Sequence, residues 1–154
     1  VGSLVLAGQG QRYKYQGKPF AQAIAEKRPG SRSVFIASTN IYQPFPMVVN
    51  ERLVWASRFP LQWLVPYVSY RWQGGSLPDD PIIAYALEAA VTDFEVLKPD
   101  VVFINKAGAI DYVKDGRFDF LGFYARDPRF ASLWSGYAAA GEVDGFAVYL
   151  RRSQ

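Results

Sequence analysis

Seven side chains stand where the sequence would let a ligand or a partner meet them: Ser38, Thr39, Asn40, Trp55, Arg58, Asn105 and Lys106. Ser38-Thr39-Asn40 follows one short apolar run, and Asn105-Lys106 follows another. If both runs are parallel strands of one open sheet, their carboxyl ends are where polar groups gather around a ligand. Arg58 would add a cation to such a pocket, and Trp55 an aromatic surface. The competing role of Ser, Thr and Asn at strand ends is to hydrogen-bond the backbone of the following loop.

The chemistry open to these groups is narrow. The chain has no His and no Cys, which excludes a Ser-His-Asp triad, a thiol nucleophile and a Cys/His zinc site. No residue is assigned a catalytic role, and no cofactor or metal is expected. Asp79 and Asp80 are adjacent carboxylates, but neighbours at a helix start do not face each other across a substrate bond, so helix capping is the reading taken. Asp111, Asp115 and Asp119 recur every fourth residue near Gly116. A calcium loop needs denser acids and a closing bidentate Glu, so these are read as a solvated loop face. Gly8-Gln9-Gly10 lacks the third glycine of a dinucleotide fingerprint. Trp55, Trp63, Tyr67, Tyr70 and Trp72 crowd one segment and are read either as core or as a docking surface.

The elements that must position these groups follow from periodicity and punctuation. The 154 residues carry 17 Lys and Arg against 14 Asp and Glu, and half are hydrophobic. One α/β domain spanning 1–154 is expected, with 1–17 an extended N-terminal segment and 18–154 the globular core. The cations are scattered among acids, so no nucleic-acid partner is expected. Lys18-Pro19 opens a helix with Phe20 and Ile24 on its apolar side, and Pro29-Gly30 ends it. Residues 33–38 read as a strand buried on both faces, 47–49 as a second, and Val101–Asn105 as a third. Between them, 51–71 is expected to be irregular because Pro60 and Pro66 break it, with a helical turn near 61–64. Asp80-Pro81 caps a long helix whose stripe is Ile83, Leu87, Ala90, Phe94 and Leu97. Residues 107–120 read as a loop with a helical turn at 110–113. Asp127-Pro128 starts a further helix carrying Phe130, Leu133, Trp134 and Tyr137 on one face. Asp144-Gly145 predicts a type I′ turn between 138–143 and 146–151. The expected architecture is a three-layer α/β sandwich with a mostly parallel central sheet and a C-terminal antiparallel hairpin.

Several segments resemble a known family. Trp55-Ala-Ser-Arg-Phe-Pro60, Gln62-Trp63-Leu64-Val65-Pro66, Pro99-Asp-Val-Val-Phe-Ile-Asn105, Phe118-Asp-Phe-Leu-Gly-Phe-Tyr124 and Asp127-Pro-Arg-Phe-Ala131 carry the likeness, as does Gly141-Glu-Val-Asp-Gly-Phe-Ala-Val-Tyr149. Together they resemble the soluble C-terminal domain of bacterial GT-C-type membrane glycosyltransferases, related to protein mannosyltransferases. The resemblance implies a non-catalytic, extracytoplasmic accessory domain excised from a larger membrane protein. It implies a parent that uses lipid-phosphate-linked sugars and holds its catalytic acid on a loop between early membrane helices. It also implies a place on the periplasmic side of the inner membrane. The partners would be the transmembrane part of the same parent chain and a lipid-linked sugar or glycan acceptor. The alternatives are a free-standing α/β enzyme using carboxylates with Lys106 or Arg58, and a sugar-binding or protein-interaction module.

Overall fold

Short apolar runs separated by Pro, Gly and Asp set the order of elements. The computed structural model describes residues 17–153; Gly8-Gln9-Gly10 and nearly all of the expected N-terminal segment lie outside them. Helix α1 (Lys18–Lys27) starts with proline in its first turn and buries Phe20, Ala23 and Ile24. It leads to β1 (Ser33–Ala37), the single turn α2 (Met47–Asn50), the two-residue β2 (Val54–Trp55) and α3 (Val65–Arg71). The long α4 (Pro81–Leu97) begins where the Asp80 side chain accepts the Ile82 and Ile83 amides, and ends at Lys98 in the left-handed region. Strand β3 (Val101–Asn105), a 3-10 turn (Lys114–Gly116), α5 (Phe120–Tyr124) and α6 (Pro128–Trp134) follow. The last elements are β4 (Tyr137–Val143) and β5 (Phe146–Arg151).

The five strands lie in the order β2-β1-β3-β5-β4. β1 pairs in parallel with β2 and with β3, whereas β5 runs antiparallel to both β3 and β4. The sheet is therefore mixed, and the expectation of a mostly parallel one is corrected. The cause is the hairpin itself: β5 returns beside β3, not at an outer edge, so it contributes two antiparallel pairings. The hairpin turn has positive φ at both Asp144 (46°) and Gly145 (77°), as a type I′ turn requires.

Alternation along β1 and β3 sorts the core into two parts. Val34, Ile36, Val101 and Phe103 face Phe20, Ile24, Met47 and Val48 of α1 and α2. Phe35, Ala37, Val102 and Ile104 face side chains of α3, α4, α5 and α6. Helices thus lie unevenly about the sheet, the ten-residue α1 and a single turn on one side and four helices including the long α4 on the other, so an even three-layer sandwich does not describe the domain. Two local expectations are also corrected. Residues 47–49 form a helical turn, not a strand, and Val49 is exposed. The helix in the aromatic segment occupies Val65–Arg71, not 61–64, with Pro66 in its first turn.

One carboxylate ties the amino ends of β1 and β3 to the carboxyl end of the antiparallel β5. Asp100 Oδ2 accepts the Arg32 and Ser33 amides at 2.8 and 3.2 Å, and its Oδ1 accepts from Arg151 Nη2 at 2.5 Å. Burial acts most strongly on this carboxyl and pushes its pKa up, but the Arg151 contact and the two amides outweigh burial and hold it below the usual range.

Candidate functional site

The crossover from β2 back past β1 to β3 creates a switch in strand order, where a crevice at the carboxyl ends of β1 and β3 is expected. Loops fill it. Ser38 is buried; its hydroxyl donates to Gln43 Oε1 at 3.3 Å and accepts the Asn40 amide at 3.0 Å, while its carbonyl accepts the Gln62 amide at 2.8 Å. Thr39 Oγ1 donates to the Asp111 carbonyl at 2.7 Å, and Asn40 Nδ2 donates to Asp111 Oδ2 at 3.1 Å. The loop after β3 is thereby strapped over the end of β1.

Arg58 and Trp55 are likewise engaged locally. Asp93, buried on α4, accepts the Arg58 amide at 2.7 Å and its Nε at 2.9 Å. The hydrogen bond to Asp93, opposed by burial and aided by the charge of Asp93, raises the guanidinium pKa. Trp55 donates its indole N–H to the Phe59 carbonyl at 2.7 Å and stacks on Phe35, ring centres 6.3 Å apart. Asp93 matches none of the spacings that mark the other candidate residues. The available signal was an acid three and four residues beyond Ala90 and Ala89, on the buried face of an otherwise apolar helix.

An open cleft of about 720 Å³ lies instead beside the end of β3. Its lining brings together Asn105 and Lys106 from the expected set, and excludes Ser38, Thr39, Asn40, Trp55 and Arg58. The loop after α3 supplies Trp72, Gln73 and Gly74, and the segment leading into α5 supplies Arg117, Phe118 and Asp119. Arg126, after α5, completes the rim, with its guanidinium 5.7 Å from the centre of the Trp72 ring. Asn105 Oδ1 accepts the Ala107 amide at 2.9 Å, which turns the chain sharply at the strand end and leaves Lys106 exposed. The Lys106 amide is held by the Gly145 carbonyl at 2.9 Å, so the hairpin turn fixes the backbone that carries this ammonium.

The cleft is cationic. Lys106, Arg117 and Arg126 make no ion pair with a carboxylate among the described residues. Its one acid, Asp119, accepts the Gly122 amide at 2.9 Å as the cap of α5. Behind the charges stand Trp72, Phe118 and Phe120, with Phe118 and Phe120 edge-to-face at 5.0 Å. This arrangement can hold an anion against an aromatic wall. The three acids spaced four apart are separated: Asp111 straps β1, Asp115 is an exposed residue at φ 56°, and Asp119 caps α5.

The crowded aromatic segment divides. Trp72 is buried under Phe118 and Phe123, whereas Trp63, Tyr67 and Tyr70 are exposed. Phe59 touches both Trp63 and Tyr85, at 5.9 and 6.1 Å between ring centres, which joins the start of α4 to this exposed surface. No helix among the described residues is long and apolar enough to cross a membrane. No protein-family model, curated protein or solved structure matches this chain.

Proposed function

We propose that this chain is a non-catalytic accessory domain of a bacterial glycosyltransferase-like membrane protein, held on the periplasmic side and serving a reaction that uses lipid-phosphate-linked sugars. The sequence resemblance supplies the context. The observation that carries the non-catalytic part is the fate of the polar groups at the end of β1. Ser38, Thr39 and Asn40 are spent on strapping loops, and Arg58 is spent on Asp93. The exposed Trp63, Tyr70, Ile82 and Tyr85 offer a surface for the membrane-embedded part of the same parent.

The test is an assay of the purified chain with a polyprenyl-phosphate-linked sugar and a glycan acceptor. The expected result is no sugar transfer by the chain alone, with transfer by the full-length parent that falls when this domain is deleted. Turnover by the isolated chain, or a parent that works equally well without it, overturns the reading.

A further inference from the structure

We infer that the cleft at the end of β3 is a binding site for an organic phosphate, with Lys106, Arg117 and Arg126 taking the phosphoryl group and Phe118 packing against the group that bears it. The inference is independent of the accessory role proposed above, because it rests on the cleft alone. Three cations line one concavity and form no ion pair with a carboxylate among the described residues, although Arg58, Arg71, Arg129 and Arg151 all find one. The lining carries three cations against the single acid Asp119, which is engaged as the cap of α5, and an anion in the cleft would offset that excess.

Several features select phosphate chemistry over anions in general. Guanidinium groups match phosphoryl oxygens in paired hydrogen bonds, and an ammonium adds a movable point charge. Arg126 lies over the Trp72 ring, which supports its planar group from behind. The Lys106 backbone is held by the hydrogen bond that its N–H donates to the Gly145 carbonyl, so the site does not rest on an unsupported loop. The volume, about 720 Å³, falls within the roughly 300–1,000 Å³ range of small-ligand sites. Inorganic phosphate would use the cations and leave the walls of Phe118, Ile104 and Ile110 unused. A phosphate ester would use both.

The phosphoryl group could belong to a soluble ester or to a lipid headgroup, and the experiment separates them. Phenyl phosphate is titrated into the purified chain and followed by amide chemical shifts. In parallel, sedimentation with phosphatidylcholine vesicles is compared with and without added phosphatidic acid. Lys106→Gln/Arg117→Gln is the test variant, and Arg32→Gln, at the opposite end of the strands, is the charge control. Circular dichroism checks that both remain folded. The expected result is saturable binding of at least one probe, shifts confined to the cleft, and about tenfold weaker binding in the double variant, the loss that follows from removing charged hydrogen bonds. Arg32→Gln should bind as the parent does. Phenyl phosphate binding assigns a soluble ester, and binding only to phosphatidic acid vesicles assigns a headgroup. No binding of either probe, equal weakening by Arg32→Gln, or shifts spread over the whole surface overturns the inference.

Discussion

Arg58 shows how one buried carboxylate decides what a cation does. Both its backbone amide and its side chain are taken by Asp93, so the guanidinium fastens the loop before α3 to the flank of α4. Asp93→Ala should therefore act on stability and leave ligand binding in the cleft untouched. Losing charged hydrogen bonds to a buried acceptor costs about 1.5–3 kcal/mol, readable as a lower urea midpoint with an unchanged slope. Arg117 and Arg126 act oppositely, because neither forms an ion pair with a carboxylate among the described residues. Neither was legible in the sequence. An isolated Arg in a polar loop has no periodicity, and what gathers these two with Lys106 is the path of the chain around α5. Lys106 and Asn105 were legible because they directly follow an apolar run.

Elements with a start signal and a stop signal could be read from the sequence. Asp80-Pro81 and Asp127-Pro128 each open a helix through a side-chain cap, and Asp144-Gly145 turns a hairpin. Where one signal served two purposes, the reading failed. Pro66 reads as a break along the sequence, yet proline belongs in the first turn of a helix and occupies that place in α3. Three apolar residues at 47–49 suit a strand or a helical turn equally, and periodicity cannot separate them over so short a span. The hairpin provides the test at this scale. Gly145 sits at φ 77°, and an added Cβ would come within 3.4 Å of Ala107 Cβ. Gly145→Val should lower the melting temperature, since a β-branched residue resists positive φ. It should also loosen the cleft, because the Gly145 carbonyl holds the Lys106 amide. Amide exchange at Lys106 should rise together with exchange along β5.

Over the whole molecule, order depends on how the amino ends of β1 and β3 are joined to the carboxyl end of β5. Asp100 makes that connection through Arg32, Ser33 and Arg151. Its pKa is depressed in the folded state, so its contribution is present above the ordinary carboxylate range and is lost as pH falls through the folded value. Asp100→Asn should lower the urea midpoint at neutral pH, and the gap from the parent should close on acidification. A gap that stays constant with pH would mean that the charge is not what joins the strands. The outer margins of the same sheet have a different consequence. β2 is two residues long, and between Ala139 and Glu142 β4 breaks register with β5 around Gly141. Neither margin offers a long, flat row of amides and carbonyls for another chain to copy. Concentrated solutions should therefore resist fibrous self-templating despite the many aromatic side chains.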